Sequence, residues 1–414
     1  MTINHTDVVK SKVESVLLEL LAYCRENNWA GYDPYDALNS KVFDVLPILN
    51  SKLPRLVFTQ ALKRSPINIR GLLGVPKTQN AKAIALFLSA LLRLQKTQPS
   101  DRESLIQAMI TRLAEMRSPG VPYWCWGYSF PWQTRTEVVS SGVPNLVCTT
   151  FVANALLDAY DQFGDSRCLS MATSAAEYIL NELYWSDGNS IHSFSYPLPS
   201  LSVQVHNANF LAAALLCRIS RLTGESKFTG PAFEVARCSV AKQKQDGSWD
   251  YGEAPSQRWV DNFHTGFSLG ALQSIGRYTQ STEFDDSVRR GFEFYRTHFF
   301  REDGAPRYFH DRTYPIDIHC VAQGIITLTE FRQLHPCGLP MARKVLQWAL
   351  DNMWDEQGFF YYRVLRFMTI RTSYMRWSQA WMFLALATLL KDLEQGAADS
   401  IRNGSASLVV ASKG

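Results

Sequence analysis

The chain repeats one local pattern: an Asp-Gly turn, a stretch rich in aromatic residues, then a histidine where an apolar helix begins. Asp187-Gly188 precedes His206, Asp246-Gly247 precedes His264, and Asp303-Gly304 precedes His319. The turns recur after 59 and 57 residues, and Gln357-Gly358 follows Gly304 after 54, leading to Trp377 and Gln379. A period of this size belongs to an array of supersecondary units, each burying its apolar face against the next. Polar groups at equivalent helix starts then converge on one end of the assembly, where chemistry can take place.

Apolar spacing predicts helices over 11–27, 42–59, 82–94 and 102–117, with Pro66 and Pro76 interrupting the chain between the second and third. From 145 onward the helices follow one another closely: 145–163, 166–183, 207–223, 231–244, 263–278, 284–299, 318–333, 339–353 and 378–394. Odd members of this run are apolar on all sides, and even members carry a polar face. The first kind is buried and the second covers it, so the helices sort into an inner and an outer ring. Every Asp-Gly turn runs from outer to inner and therefore lies on the same rim. Counting 82–94 gives six inner helices, and the expected fold is an all-α (α/α)6 toroid with long aromatic-rich loops at one rim. A single domain is expected over 1–394, with an Ala/Ser/Gly-rich tail over 395–414 that has no fixed structure.

Composition bears on partners and compartment. A 46% hydrophobic content supports a large core, while 19% charged and 12% aromatic residues suggest cavities lined by rings. The net charge of +4 comes without a Lys/Arg block long enough to track phosphates, which argues against nucleic acid. Residues 1–10 lack the basic-then-apolar layout of a secretion signal, and no apolar run approaches the roughly 20 residues that span a bilayer. The chain reads as cytoplasmic. Its eight cysteines form no Cys-x-x-Cys pair and read as buried free thiols.

His206, His264 and His319 are the candidate acid/base groups, since an imidazole takes and returns a proton near neutral pH. Asp261 and Asp317 beside them are further candidate acids or bases, and Asn207 a candidate substrate contact, with helix capping as the structural alternative. A metal on His264, His319 and Cys320 lacks a third ligand, because adjacent helical side chains diverge by about 100°. No metal or cofactor is expected. The segment 123–133 places six aromatics in eleven positions, with Trp126 and Trp132 among them. Together with Trp249, Trp259 and Trp377 these rings offer faces for a sugar, or for a carbocation in a hydrocarbon pocket. Arg135, Arg258, Arg312 and Arg371 follow four successive aromatic loops, where a guanidinium suits a carboxylate or phosphate, with surface solvation as the plain alternative. Gln379 stands where the fourth repeat lacks its histidine. The further carboxylates Asp33, Asp36, Asp250 and Glu253 show no spacing diagnostic of a two-carboxylate hydrolase.

Phe263-His264-Thr265-Gly266 and Arg376-Trp377-Ser378-Gln379-Ala380 resemble motifs of the N-acylglucosamine 2-epimerase and cellobiose 2-epimerase group, within the six-hairpin toroids of carbohydrate enzymes. The resemblance implies that His264 exchanges a proton at the carbon next to a sugar carbonyl. Where that group carries Glu after Gln-Ala, this chain has Trp381. The layout of Gly31–Asp36, Lys63–Asn68 and Asp261–Gly266 is similar to uncharacterised toroid proteins of bacterial exopolysaccharide biosynthesis clusters. Gln245-Asp-Gly-Ser-Trp249 resembles a repeat of triterpene cyclases and prenyltransferases, without their Asp-rich catalytic motif. The resulting expectation is a sugar epimerase, isomerase or related modifying enzyme of exopolysaccharide synthesis. A terpenoid cyclase or prenyltransferase-like enzyme and a non-catalytic glycan-binding protein of polysaccharide assembly are the alternatives.

Overall fold

The computed structural model describes residues 5–94, 99–133 and 137–411. Twelve helices build the body: α1 His5–Glu26, α2 Ala81–Arg93, α3 Arg102–Glu115, α4 Leu146–Phe163, α5 Ser166–Tyr178, α6 His206–Thr223, α7 Thr229–Val240, α8 Asn262–Thr279, α9 Asp285–His298, α10 Ile318–Glu330, α11 Gly338–Met353 and α12 Ala380–Ala411. The even-numbered helices form the inner ring. Each packs on the next, and α12 returns to α2, so the ring closes. An outer helix backs each inner one, with α1 covering α12 across the chain's two ends. This is the (α/α)6 toroid that the periodicity implies.

Burial follows the sorting by polarity. In α10 every residue from Ile318 to Thr329 is buried, whereas α9 buries one stripe that includes Val288, Phe292 and Tyr295 and turns its Arg and Asp residues outward. Polar caps set where four inner helices start. Asn80, Asn145, Asp261 and Asp317 each accept a hydrogen bond from a backbone N–H of the first turn.

The repeated glycines have a common physical cause. Gly188, Gly247, Gly304 and Gly358 all lie at φ between +79° and +92°, where a Cβ is strained. At Gly247 a Cβ would also stand 2.4 Å from the Arg290 carbonyl oxygen of α9, and at Gly304 2.6 Å from that of Lys344 in α11. These two turns therefore dock on the next outer helix and fix the spacing of neighbouring hairpins. The aspartates stabilise the same turns: Asp246 Oδ1 accepts the Ser248 N–H at 2.9 Å.

Two local expectations change. The helix predicted over 42–59 is broken into Val42–Val45, a 3-10 turn Pro47–Leu49 and a helix Lys52–Arg64. Pro47 has no N–H to continue the first piece, while Pro54 is tolerated in the opening turn of the last. The outer-to-inner loops also carry short strands, such as Tyr184–Ser186 paired with His192–Phe194 and Ile316–Asp317 paired with Arg363–Val364. All eight cysteines are free, six of them buried. Among the described residues no helix is long and apolar enough to cross a membrane.

Candidate functional site

The caps that start the inner helices also place side chains at the mouth of the ring. Asp261 accepts the His264 backbone N–H through Oδ1 at 3.0 Å, and its Oδ2 lies 2.7 Å from His264 Nδ1. The same Oδ2 accepts the Trp259 indole N–H at 2.9 Å. A carboxylate on Nδ1 holds the proton there and leaves Nε2 as the basic nitrogen. His264 is half-buried, and the Tyr251 ring lies 4.6 Å from it, stacked in turn on Trp259 at 4.7 Å and 9°. Beside this group, Asn207, Tyr251, Asp261 and His264 line a cavity of about 10 Å³, room for about one water.

His319 begins the next inner helix and sits deeper. Rings of Trp377, Phe263 and Trp381 stand 4.5, 4.6 and 4.7 Å away, and neither ring nitrogen has a partner. Burial, with help from Lys82, Arg376 and His264, holds its pKa well below the usual imidazole value. It is a neutral imidazole packed against the same Phe263 ring as His264, whose centroid is 4.2 Å from it.

Two cations complete this layer. Lys82, in the first turn of α2, is buried with its ammonium 4.2 Å from the Phe151 ring centroid and 5.2 Å from that of Trp381. Burial chiefly, then the nearby Arg376 charge, lower its pKa to about 7. Arg376 forms a bidentate pair with Asp33 at 2.7 and 2.8 Å, beneath the Tyr128 ring. Neither cation was anticipated as a site residue: Lys82 is one charge inside an apolar helix, and Arg376 has its partner 343 positions away. Tyr35, Tyr128, Tyr196, Tyr251 and Tyr308 are half-buried and near enough for their phenols to influence one another. Burial and then neighbouring phenols raise the pKa of Tyr128 and Tyr251, and Tyr196 is pushed up to about 12, so these hydroxyls remain donors.

The remaining expected residues divide by location. Asp317 is fully committed: it caps His319 N–H, accepts Arg363 Nε at 2.9 Å and accepts the Trp377 indole N–H at 2.9 Å. It positions His319 and Trp377 and has no free oxygen for proton transfer. His206 is buried with Nε2 3.0 Å from Glu253 Oε1, and burial lowers its pKa. Asn207 beside it leaves its Oδ1 without a partner.

Trp126 is fully buried and donates to the Leu113 carbonyl of α3, so it packs hairpins together and offers no face at the mouth. Trp249 is likewise buried, with its N–H on the Ser239 carbonyl of α7. Gln379 clasps both backbone groups of Phe360 at 2.8 and 2.9 Å, a fastening of loop to helix. Trp132 is half-buried beside Tyr128, and Arg258 is exposed. Arg312 is exposed and paired with Asp311. Arg135 lies outside the described residues. No group of three or more His, Cys, Asp or Glu side chains suited to a metal occurs among the described residues.

The opposite end of the ring holds a cavity of about 710 Å³ between the last turns of the inner helices. Phe151, Phe267 and Trp381 form its floor and separate it from the histidine layer. Its charges largely neutralise one another: Arg218 is bound by Asp158 and Asp161 at 2.8 and 2.7 Å, and Arg93 stands 3.6 Å from Glu330. It has no histidine. The mouth, with a carboxylate-oriented imidazole and fixed donors, is the better-equipped of the two.

No protein-family model and no curated protein matches the chain. Solved structures do match. The cellobiose 2-epimerase from Bacillus thermoamylovorans superposes with a TM-score of 0.60 at 11% identity, covering 78% of this chain and 90% of the other. An unsaturated glucuronyl hydrolase specific for heparin gives 0.61 at 11% identity over 94% and 98%. A D-mannose isomerase gives 0.56 at 11% over 76% and 87%. At these identities the likeness establishes the (α/α)6 toroid, a fold these carbohydrate enzymes share.

Proposed function

We propose that this chain is a carbohydrate-active enzyme that moves a proton at the carbon beside a sugar carbonyl, as an epimerase or isomerase does, within exopolysaccharide synthesis. The observation that carries the reading is the His264–Asp261 pair at the mouth of the ring. His264 Nε2 takes the proton, and Asp261 stabilises the imidazolium that forms. The electron pair moves onto the carbonyl oxygen, giving an enediolate. The protonated fraction of Lys82 supplies positive potential there, and the phenols of Tyr128 and Tyr251 donate to sugar oxygens. Return of the proton to the same carbon from the other face, or to its neighbour, distinguishes epimerisation from isomerisation. The stacked Tyr251–Trp259 pair offers a face for the ring's C–H surface. Hydroxyls around the mouth suit a sugar better than an isoprenoid, and the structural likeness to a cellobiose 2-epimerase and a D-mannose isomerase supports the same reading. The motifs at Gly31–Asp36 and Lys63–Asn68 motivate the polysaccharide context.

The test is incubation with candidate mono- and disaccharides in deuterated water, followed by NMR. Deuterium should enter at one carbon and epimer or isomer should accumulate, and His264→Asn should abolish both while circular dichroism stays unchanged. Absence of label from every aldose, ketose and N-acylhexosamine tried, or undiminished exchange in His264→Asn, would overturn the reading.

A further inference from the structure

The excursion between α1 and α2 exposes apolar side chains on a scale found nowhere else in the described residues. Val45, Ile48, Leu53, Val57, Ile67 and Leu72 are each between 60% and 90% exposed. Among the described residues the only other large apolar side chain exposed by 60% or more is Phe367, at the tip of the hairpin Arg363–Val364/Thr369–Ile370, which also lies among the outer-to-inner loops. Single exposed apolar residues are ordinary, but a group of this size on one rim marks an interaction surface.

The excursion is fastened to the ring by Asp33, which pairs with Arg376 at 2.7 and 2.8 Å, and it is held together by contacts of its own. Arg70 reaches Asp36 at 2.8 Å, Ser40 donates to the Leu73 carbonyl at 2.7 Å, and Phe43 packs on Phe58 at 5.2 Å. Lys63 donates to the Tyr35 hydroxyl at 2.7 Å, which joins the helix Lys52–Arg64 to the lip of the mouth.

Its charge is equally distinctive. Residues 41–77 hold seven basic side chains and a single acidic one, a net of +6 in a chain whose total is +4, so the remainder is net −2. Arg70 is consumed by Asp36. The other six, Lys41, Lys52, Arg55, Lys63, Arg64 and Lys77, have no carboxylate partner among the described residues, whereas Arg237, Arg289 and Arg296 elsewhere on the surface are all paired.

We infer that this rim docks on an anionic lipid surface. The exposed apolar side chains enter the boundary between headgroups and acyl chains, and the unpaired cations meet lipid phosphates. The charge decides among occupants. A second copy would bring two sets of unpaired cations together, which is repulsive, and a nucleic acid would leave the apolar side chains without a partner. Docking in this way presents the mouth of the ring beside the membrane, whatever reaction the mouth performs.

The test is co-sedimentation of the full chain with vesicles of phosphatidylcholine alone and with phosphatidylglycerol added. Binding to the anionic vesicles should exceed binding to the neutral ones by at least tenfold and fall steeply between roughly 50 and 500 mM salt. Ile48→Asp/Leu72→Asp and Lys52→Glu/Arg64→Glu should each lower it by about tenfold or more; all four positions are exposed, so thermal melting should be unchanged. Equal partition onto both vesicle types, or full binding by both double variants, would refute the proposal. So would concentration-dependent dimerisation that the same variants abolish, which would assign the surface to a second copy.

Discussion

Replacing Asp33 by asparagine probes the contact that closes the toroid at its mouth. Arg376 is 4% exposed, and Asp33, also 4% exposed, is the carboxylate that holds it. Burial alone pushes the guanidinium pKa down, but Asp33 and then the Tyr128 phenol more than offset this, so Arg376 remains charged. In Asp33→Asn that charge keeps one neutral acceptor instead of two carboxylate oxygens. Stranding a buried charge in this way costs about 3–5 kcal/mol. The lower end applies here, because an asparagine Oδ1 still accepts the Tyr35 N–H that Asp33 Oδ1 accepts at 3.0 Å. Urea titrations followed by tryptophan fluorescence should therefore show a loss of about 3 kcal/mol. The exposed pair Arg289–Asp286 is the internal control: Asp286→Asn should leave the urea midpoint close to that of wild type. Asp33→Asn/Arg376→Met should recover most of the loss, since the stranded charge is then gone and a neutral pair takes the place of the ion pair. The reasoning fails if Asp33→Asn stays within about 1 kcal/mol of wild type, or if the double variant is no more stable than the single one.

Two further outcomes follow from buried bases. His319 has its pKa lowered in the fold from 6.5, so its contribution is complete above that value and lost as pH falls below it, the unfolded chain binding the extra proton. His206 adds a slope of the same sign. His319→Leu should remove up to about 1.4 kcal/mol per pH unit from the acid-side loss, read from urea midpoints between about pH 7.5 and 5.5; parallel curves for both proteins would contradict it. Lys82, with a folded pKa of about 7 against 10.5, makes stability rise with pH between those values. Lys82→Met should flatten that rise and stabilise the protein at neutral pH by about 1–3 kcal/mol. A lower melting temperature in Lys82→Met would show that the ammonium contributes to stability.

Much of the frame is legible in the amino-acid sequence. The apolar pattern located both rings, with helix ends displaced by a few residues where caps decide them. The Asp261-x-x-His264 spacing announced a cap and, with it, a histidine at the mouth. Other assignments depended on direction. Trp126 and Trp249 belong to aromatic loops and look like ligand faces, yet each turns its N–H to a carbonyl of an outer helix, and loop composition carries no information about that choice. Asp317 looked like an acid and is a counter-ion, because Arg363 approaches it from a strand 46 residues later.

What the sequence by itself determined is the toroid, since a repeat of apolar and amphipathic helices joined by left-handed glycine turns has one economical way to bury its surface. Local rules suffice for that: periodicity, caps, and turns that only glycine adopts. What the tertiary structure alone decided is the electrostatics of the mouth. Lys82, Arg376, His319 and Asp33 come from four separate segments, and their protonation depends on which rings enclose them and which charges meet across the closed ring. Those are long-range relations. They exist only once α12 has returned to α2 and shut water out of the space between.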